Sequence, residues 1–260
     1  MSGKWRLMAA SALAAGLLGS GPGLRADDSL WDIFEDVRNE TIKHTAISDK
    51  DEIRYGEKIA WEINRKAILL AAGDPRSRRV EAICRDVAAF RTRQNVPITV
   101  RVQSSREINA FAVAGGNIWV TTGMLAFVRG NDELASIIGH EIAHVDRKHC
   151  QAKIQMYVTV LEATGDENLA GLANLVATAV DTPYSQKDEN VADYYGATMA
   201  FQAGYSPARM ADFFDRIEAR YRTDRGRSTD PDIDRLQNSH PLNRERMKRI
   251  RQRAVELMRQ

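Results

Sequence analysis

The sequence predicts an α+β fold that is mostly helical, with a small sheet of about three strands. Three observations carry that expectation. Apolar residues recur at helical spacing through most of the chain, while strict alternation is confined to one patch between Pro97 and Thr121. Gly73-Asp74-Pro75 and Gly115-Gly116-Asn117 supply the breaks.

In chain order, the first element is a targeting segment, residues 1–26. Lys4 and Arg6 precede an apolar stretch from Leu7 to Leu18, and small residues follow, the layout of a secretory signal peptide. Twelve residues fall short of the ~20 that a membrane-spanning helix needs. Cleavage is expected after Ala26, with a cut near Gly23 or an uncleaved anchor as alternatives. No cysteine closes the apolar run, so no lipid anchor is expected.

Residues 27–96 read as supporting helices. Asp49 to Ala72 places Ile53, Ile59, Ile63, Ala67 and Leu70 on one face, and Pro75 to Asn95 does the same with Val80, Ile83, Val87 and Phe90. Residues 97–260 form the domain that carries the chemistry. It opens with the alternating patch: Ile98, Val100 and Val102, then Ala110 to Val113, then Ile118 to Thr121, with the glycine pair as the turn.

The next helix, about Asn131 to His149, is capped by Asn131, starts with Asp132 and Glu133 at its positive end, and buries Leu134, Ile138, Ile142 and Val145. It contains His140-Glu141-Ile142-Ala143-His144. Histidines four apart project from one side of a helix, so both imidazoles can reach a single ion. Glu141 is then placed for water rather than metal, where it can take a proton as hydroxide attacks a carbonyl. Chance yields on the order of 0.005 such matches in a chain of this composition. His149 points off the ligand face and reads as structural.

A zinc site of this kind needs a third protein ligand. Ser185-Gln186-Lys187-Asp188 reads as a capping box opening a helix to Gly204, on which Glu189 and Asp193 share a face. Glu189 is the candidate ligand. Asp193 can accept the ring N–H of His140 or His144 and fix its tautomer. The final helix, about Asn243 to Met258, packs through Met247, Ile250 and Leu257 with its arginines in solvent. Before it, the polar stretch Thr223–Asn238 reads as a loop leading to His240.

Composition narrows the function. The formal charge is +2; without residues 1–26, 34 basic residues face 35 acidic ones, so no nucleic-acid partner is expected. From Arg216 onward basic residues outnumber acidic ones. That face reads as solvated, with a surface for membrane lipid or nucleic acid as the alternative. Cys84 and Cys150 are too few for a cysteine zinc site. They are either two buried thiols or one disulfide, which would stabilise by about 4 kcal/mol.

Several blocks occur in a telling order: Asn109-Ala110-Phe111-Ala112, Val120-Thr121-Thr122-Gly123-Met124-Leu125, His140-Glu141-x-x-His144 with His149, Glu189-x-x-Ala192-Asp193 with Gly196, Ala203-Gly204-Tyr205-x-Pro207, and Ser239-His240-Pro241 with Arg246. Together, from about Ile98 to Arg249, they resemble peptidase family M48, zinc endopeptidases that include the CAAX prenyl protease and HtpX. The resemblance implies a minimal zincin domain of the gluzincin type, one zinc per chain on His140, His144 and Glu189, and Glu141 as base. It places His240 at the active site, where two roles fit, a latch on the open metal position or an oxyanion donor; the plain alternative is a histidine that caps the last helix. Asn109, Ala110, Phe111 and Ala112 then suit an edge strand that pairs with an extended substrate.

The run Leu169–Val180 is too short to span a bilayer, so the soluble, periplasmic BepA/LoiP-like branch is the nearer match. No tetratricopeptide period appears. The expected function is hydrolysis of unfolded or damaged cell-envelope proteins, with oligomeric state open. The competing reading is an exported chaperone-like assembly factor that keeps zinc for structure; an intact Glu141 argues against it.

Overall fold

The computed structural model describes residues 47–155, 169–221, 236, 240 and 244–259. The expected signal peptide and, Leu236 apart, the expected loop before His240 lie outside the described residues. Helix α1 (Asp49–Lys66) starts at Ser48, whose Oγ accepts from Asp51 N at 3.1 Å. It stops short of the expected Ala72 because the next residues join the sheet: Leu70 N donates to Val102 O (2.9 Å) and Ser104 N to Ile68 O (2.7 Å). Apolar residues at Leu69 and Leu70 suit either conformation; the strand beside them decides.

Helix α2 (Pro75–Ala88) begins at Asp74, which accepts from Arg76 N, with Pro75 pre-set for the first turn. It ends before the expected Asn95. There Arg91 Nη1 bonds Ala88 O (2.7 Å), while Arg93 reaches Asp49, Glu52 and Val145 O. These contacts hold the connector in a non-helical path against two other helices.

The three expected strands form one mixed sheet. β1 (Thr99–Gln103) runs parallel to β3 (Asn117–Thr121), and β2 (Ala110–Val113) runs antiparallel to β3 on its other side. Val100 and Ala112 therefore flank Ile118. The glycine turn is a short 3₁₀ turn, Ala114–Gly116. Gly116 has φ +75°, and a Cβ there would lie 1.8 Å from Pro97 O, so a side chain is excluded twice over. Trp119 is fully buried in the sheet, stacks on Phe111 and donates to Asn64 Oδ1 at 3.0 Å.

A short helix, α3 (Thr122–Phe127), leads to α4 (Asn131–Asp146), which is buried from Glu133 to its end. Its N-cap is Gly130 at φ 128°, not Asn131, whose side chain instead accepts from Arg79 Nε at 2.8 Å. The helix ends at Asp146 rather than His149, because Lys148 takes a left-handed φ of 66° and a new helical run begins at residue 149. Then come α5 (Leu169–Asp181), α6 (Gln186–Gln202), α7 (Ala208–Tyr221) and α8 (Arg244–Met258). The Ser185/Asp188 capping box forms as expected, and α6 ends where Gly204 turns at φ +88°.

Helix α6 packs along α4, and α8 packs on α6 and α7. Met247, Ile250 and Leu257 face inward as expected, but one arginine of α8 does not face solvent. Arg246 is 1% exposed, because two buried carboxylates await it. Cys84 and Cys150 are free buried thiols, so the disulfide alternative falls. No helix among the described residues is long and apolar enough to cross a membrane.

Candidate active site

Helix α4 presents His140 and His144 on one face, their Nε2 atoms 3.0 Å apart. Helix α6 brings Glu189 to meet them, with Oε1 3.3 Å from His144 Nε2 and Oε2 3.6 Å from His140 Nε2. His240, fifty-one residues past Glu189, completes the group: its Nδ1 lies 2.9 Å from Glu189 Oε1 and 3.2 Å from His140 Nε2. One donor atom from each of the four falls within 4.8 Å of the others, and all four residues are buried.

This donor set fits a metal ion. Three imidazoles and a carboxylate, converging at buried positions, match the ligand chemistry of zinc. Such a concentration of lone pairs is costly to bury without a cation. Glu189 shows the bias. Burial alone would raise its pKa, yet His240, Arg246 and His140 hold the carboxyl well below the usual range. His144 is the opposite case, its pKa driven well down by burial, so its ring is neutral and free to donate a lone pair.

The far sides of the two ligand rings are also held. His140 Nδ1 lies 2.9 Å from Asp193 Oδ1, in a close but poorly aligned contact. His144 Nδ1 meets His149 Nδ1 at 3.0 Å, and His149 Nε2 faces Asp188 Oδ1 at 3.6 Å. His149 thus stands off the ligand cluster but against its back. The left-handed turn at Lys148 puts it there, which helical spacing could not reveal.

Two further residues complete the surroundings. Arg246 donates Nε and Nη2 to both oxygens of Asp193 (2.7 and 2.8 Å), contacts Glu189 through Nη1, and donates Nη1 to His240 O at 3.3 Å. Tyr184 stacks on His144, ring centroids 3.6 Å apart and nearly parallel, with its hydroxyl 3.2 Å from Cys150 Sγ and Lys153 Nζ over its other face. In the sequence Arg246 stands only as part of the block with Ser239-His240-Pro241, and Tyr184 belongs to no motif. The one local sign of Tyr184 is its place immediately before the capping box.

Glu141 sits beside the cluster, 2% exposed, with Oε1 3.5 Å from His240 Nε2 and Oε2 without a hydrogen-bond partner among the described residues. Burial raises its pKa, giving a carboxylate with enhanced basicity. Next to it is a small apolar cavity of about 30 Å³. Ala110 of β2 forms part of its wall, so the sheet's outer strand runs beside the cluster. Asn109 precedes the strand, holding Thr121 through its backbone. Phe111 points to the opposite side, onto Trp119.

Comparison with known proteins agrees with this arrangement. The family model for peptidase family M48 matches residues 74–254. The chain is 27% identical over 224 residues to metalloprotease LoiP of Escherichia coli K12, covering 82% of this chain and 84% of LoiP. It is 30% identical over 169 residues to the beta-barrel assembly-enhancing protease of the same organism (58% of this chain, 33% of that one). To the mitochondrial metalloendopeptidase OMA1 of Danio rerio it is 31% identical over 208 residues (71% and 42%). The chain therefore spans most of LoiP but less than half of the other two. A matched segment containing both histidines of α4, the glutamate of α6 and the buried arginine of α8 makes this chain a member of peptidase family M48, and a metalloendopeptidase.

Proposed function

We propose that the enzyme holds one zinc ion per chain on His140, His144 and Glu189 and cleaves internal peptide bonds of unfolded or damaged cell-envelope proteins. The observation that carries this is the convergence of those three side chains, with the unpartnered Oε2 of Glu141 beside them. Zinc bound there would supply Lewis acidity, polarising the scissile carbonyl and bringing the pKa of a water to roughly 7. Glu141 accepts the proton of the attacking water and later returns it to the leaving amine. Asp193 and Arg246 orient the His140 ring and the Glu189 carboxylate, and His149 does the same for His144.

His240 is a latch in this reading. Its Nδ1 lies among the ligand atoms rather than apart from them, so in this state it takes a position that water or substrate needs. The oxyanion role belongs to a second position of the same ring. The outer edge of β2, from Asn109 to Ala112, pairs with an extended substrate, making the main chain the chief recognition element. Export to the periplasm rests on the charged and apolar layout of residues 1–26.

The test is proteolysis of a permanently unfolded protein by purified, zinc-loaded chain. Cleavage that disappears with Glu141→Gln supports the reading. Equal cleavage by both forms would move the base elsewhere, and no cleavage by wild type or by His240→Ala would remove the peptidase assignment.

A further inference from the structure

Tyr184 has no part in the chemistry assigned above, yet it touches three separate pieces of the site. Its ring stacks on His144 with centroids 3.6 Å apart and 18° between the planes, and Lys153 Nζ lies 3.3 Å from the same centroid. Two groups at those distances cannot share one face, so the ring is clamped between an imidazole and an ammonium. Burial pulls Lys153 down to about 8, which leaves it cationic at neutral pH. The hydroxyl has its own partners: Cys150 Sγ lies 3.2 Å away, and Ala112 O accepts a long hydrogen bond of 3.5 Å from it. Burial pushes the Cys150 thiol up to about 12, so it keeps its proton and is the donor of its pair with the hydroxyl.

The Ala112 carbonyl faces the outer edge of the sheet. Thr121 N donates to Asn109 O at 3.0 Å, and along an antiparallel ladder hydrogen-bonded pairs alternate with pairs that are not. Phe111 therefore bonds Trp119, whereas Ala110 and Ala112 turn their N–H and C=O groups away from β3. We infer that Tyr184 positions substrate against the metal: its ring holds the plane of His144, and its hydroxyl caps the Ala112 carbonyl, so that strand pairing along β2 stops there. This rests on the peptidase reading and its edge-strand pairing, and adds what they lack, a fixed end to the register. An incoming main chain finds Ala110 N–H, Ala110 C=O and Ala112 N–H, of which only the Ala110 carbonyl accepts from a substrate amide. His149 meets one edge of the His144 ring, while the stacked tyrosine fixes its plane and so the direction of its Nε2 lone pair. One side chain thus ties the end of the substrate edge to a ligand of the metal.

Two measurements on the full chain test this, and the first needs no cleavage. Zinc affinity by chelator competition is compared for wild type, Tyr184→Phe and Tyr184→Leu. Tyr184→Phe keeps the stacked ring and should bind zinc as wild type does; Tyr184→Leu removes it and should bind about 10-fold more weakly. Wild-type affinity in Tyr184→Leu, or equal loss in both variants, overturns the role of the ring. The second measurement uses a fluorescent peptide that spans a cleavage site mapped in an unfolded protein, N-methylated at one amide at a time. Its binding is measured on zinc-loaded Glu141→Gln chain, with Tyr184 intact or with Tyr184→Phe added. With Tyr184 intact one amide should be sensitive, losing roughly 3- to 10-fold in affinity when methylated. Tyr184→Phe frees the Ala112 carbonyl, so a second amide two residues along should become sensitive. The same peptides meet both forms, which cancels the intrinsic effect of the methyl group. Identical sensitive amides in both forms, or none in either, overturn the stop. A chain that cleaves no unfolded protein strikes the peptidase reading instead, and the zinc comparison still decides the role of the ring.

Discussion

Gly139 and Gly196 meet backbone to backbone where α4 crosses α6: a Cβ on Gly139 would lie 2.6 Å from Gly196 O, and one on Gly196 would lie 2.6 Å from His140 N. The contact adjoins the first histidine and lies one turn from Asp193. It sets the separation between the helix that carries His140 and His144 and the helix that carries Glu189.

Gly196→Ala should therefore force the helices apart, destabilising the fold by about 1–3 kcal/mol as overpacking does. Zinc affinity should fall more than global stability alone explains, because the ligands on the two helices move relative to each other. Thermal unfolding with and without metal, alongside chelator titration, separates the two effects.

Ligands and their supports should respond differently. Glu189→Ala or His144→Ala should abolish stoichiometric zinc, whereas Glu141→Gln should retain it. Asp193→Asn, which alters the support of His140 without deleting a ligand, should weaken zinc binding by about 10- to 100-fold. Metal analysis after dialysis, then competition with a chelator, checks the series; full zinc in Glu189→Ala would refute its ligand role.

The proposed latch role of His240 has a kinetic signature. His240→Ala is expected to raise cleavage of an unfolded substrate while zinc stays bound. A fall in kcat of roughly 10²-fold would instead assign the ring to the oxyanion.

Acid stability offers a check remote from the site. Hydrogen bonds from the Arg76 side chain and backbone pull the Asp74 carboxyl down to about 2. A carboxylate depressed on folding contributes stability above its unfolded pKa, about 3.9, and loses it as pH falls toward its folded value. The Tm difference between wild type and Asp74→Asn should be present at pH 7 and shrink between about pH 4 and 2. A pH-independent difference would mean that the cap acts only through geometry.

Much of this was legible in the sequence because it is local. The HExxH pair, the Ser185 capping box and the alternation of β2 each depend on neighbours within a turn or a strand. What was not legible depends on a partner far along the chain. The end of α1 is set by the edge of β1, since Leu69 and Leu70 read the same in a helix or beside a strand. Arg246 reads as a solvated arginine until Asp193 and Glu189 are known to face it. The place of His149 hangs on one left-handed residue, Lys148, whose identity does not demand that conformation. The Gly139–Gly196 contact requires knowing which helices cross.

The short stretch after α1 has a consequence for traffic. Ile68–Leu70 lies along one rim of the sheet, next to β1, while β2 forms the opposite rim with a strand neighbour on one side only among the described residues. On the reading proposed above, an extended polypeptide pairs at the rim beside Glu141, since at the other it would have to displace Ile68–Leu70. On that same reading, an unfolded client would find the rim away from Glu141 already paired. The same small strap leaves β2 as the sheet's one open edge among the described residues.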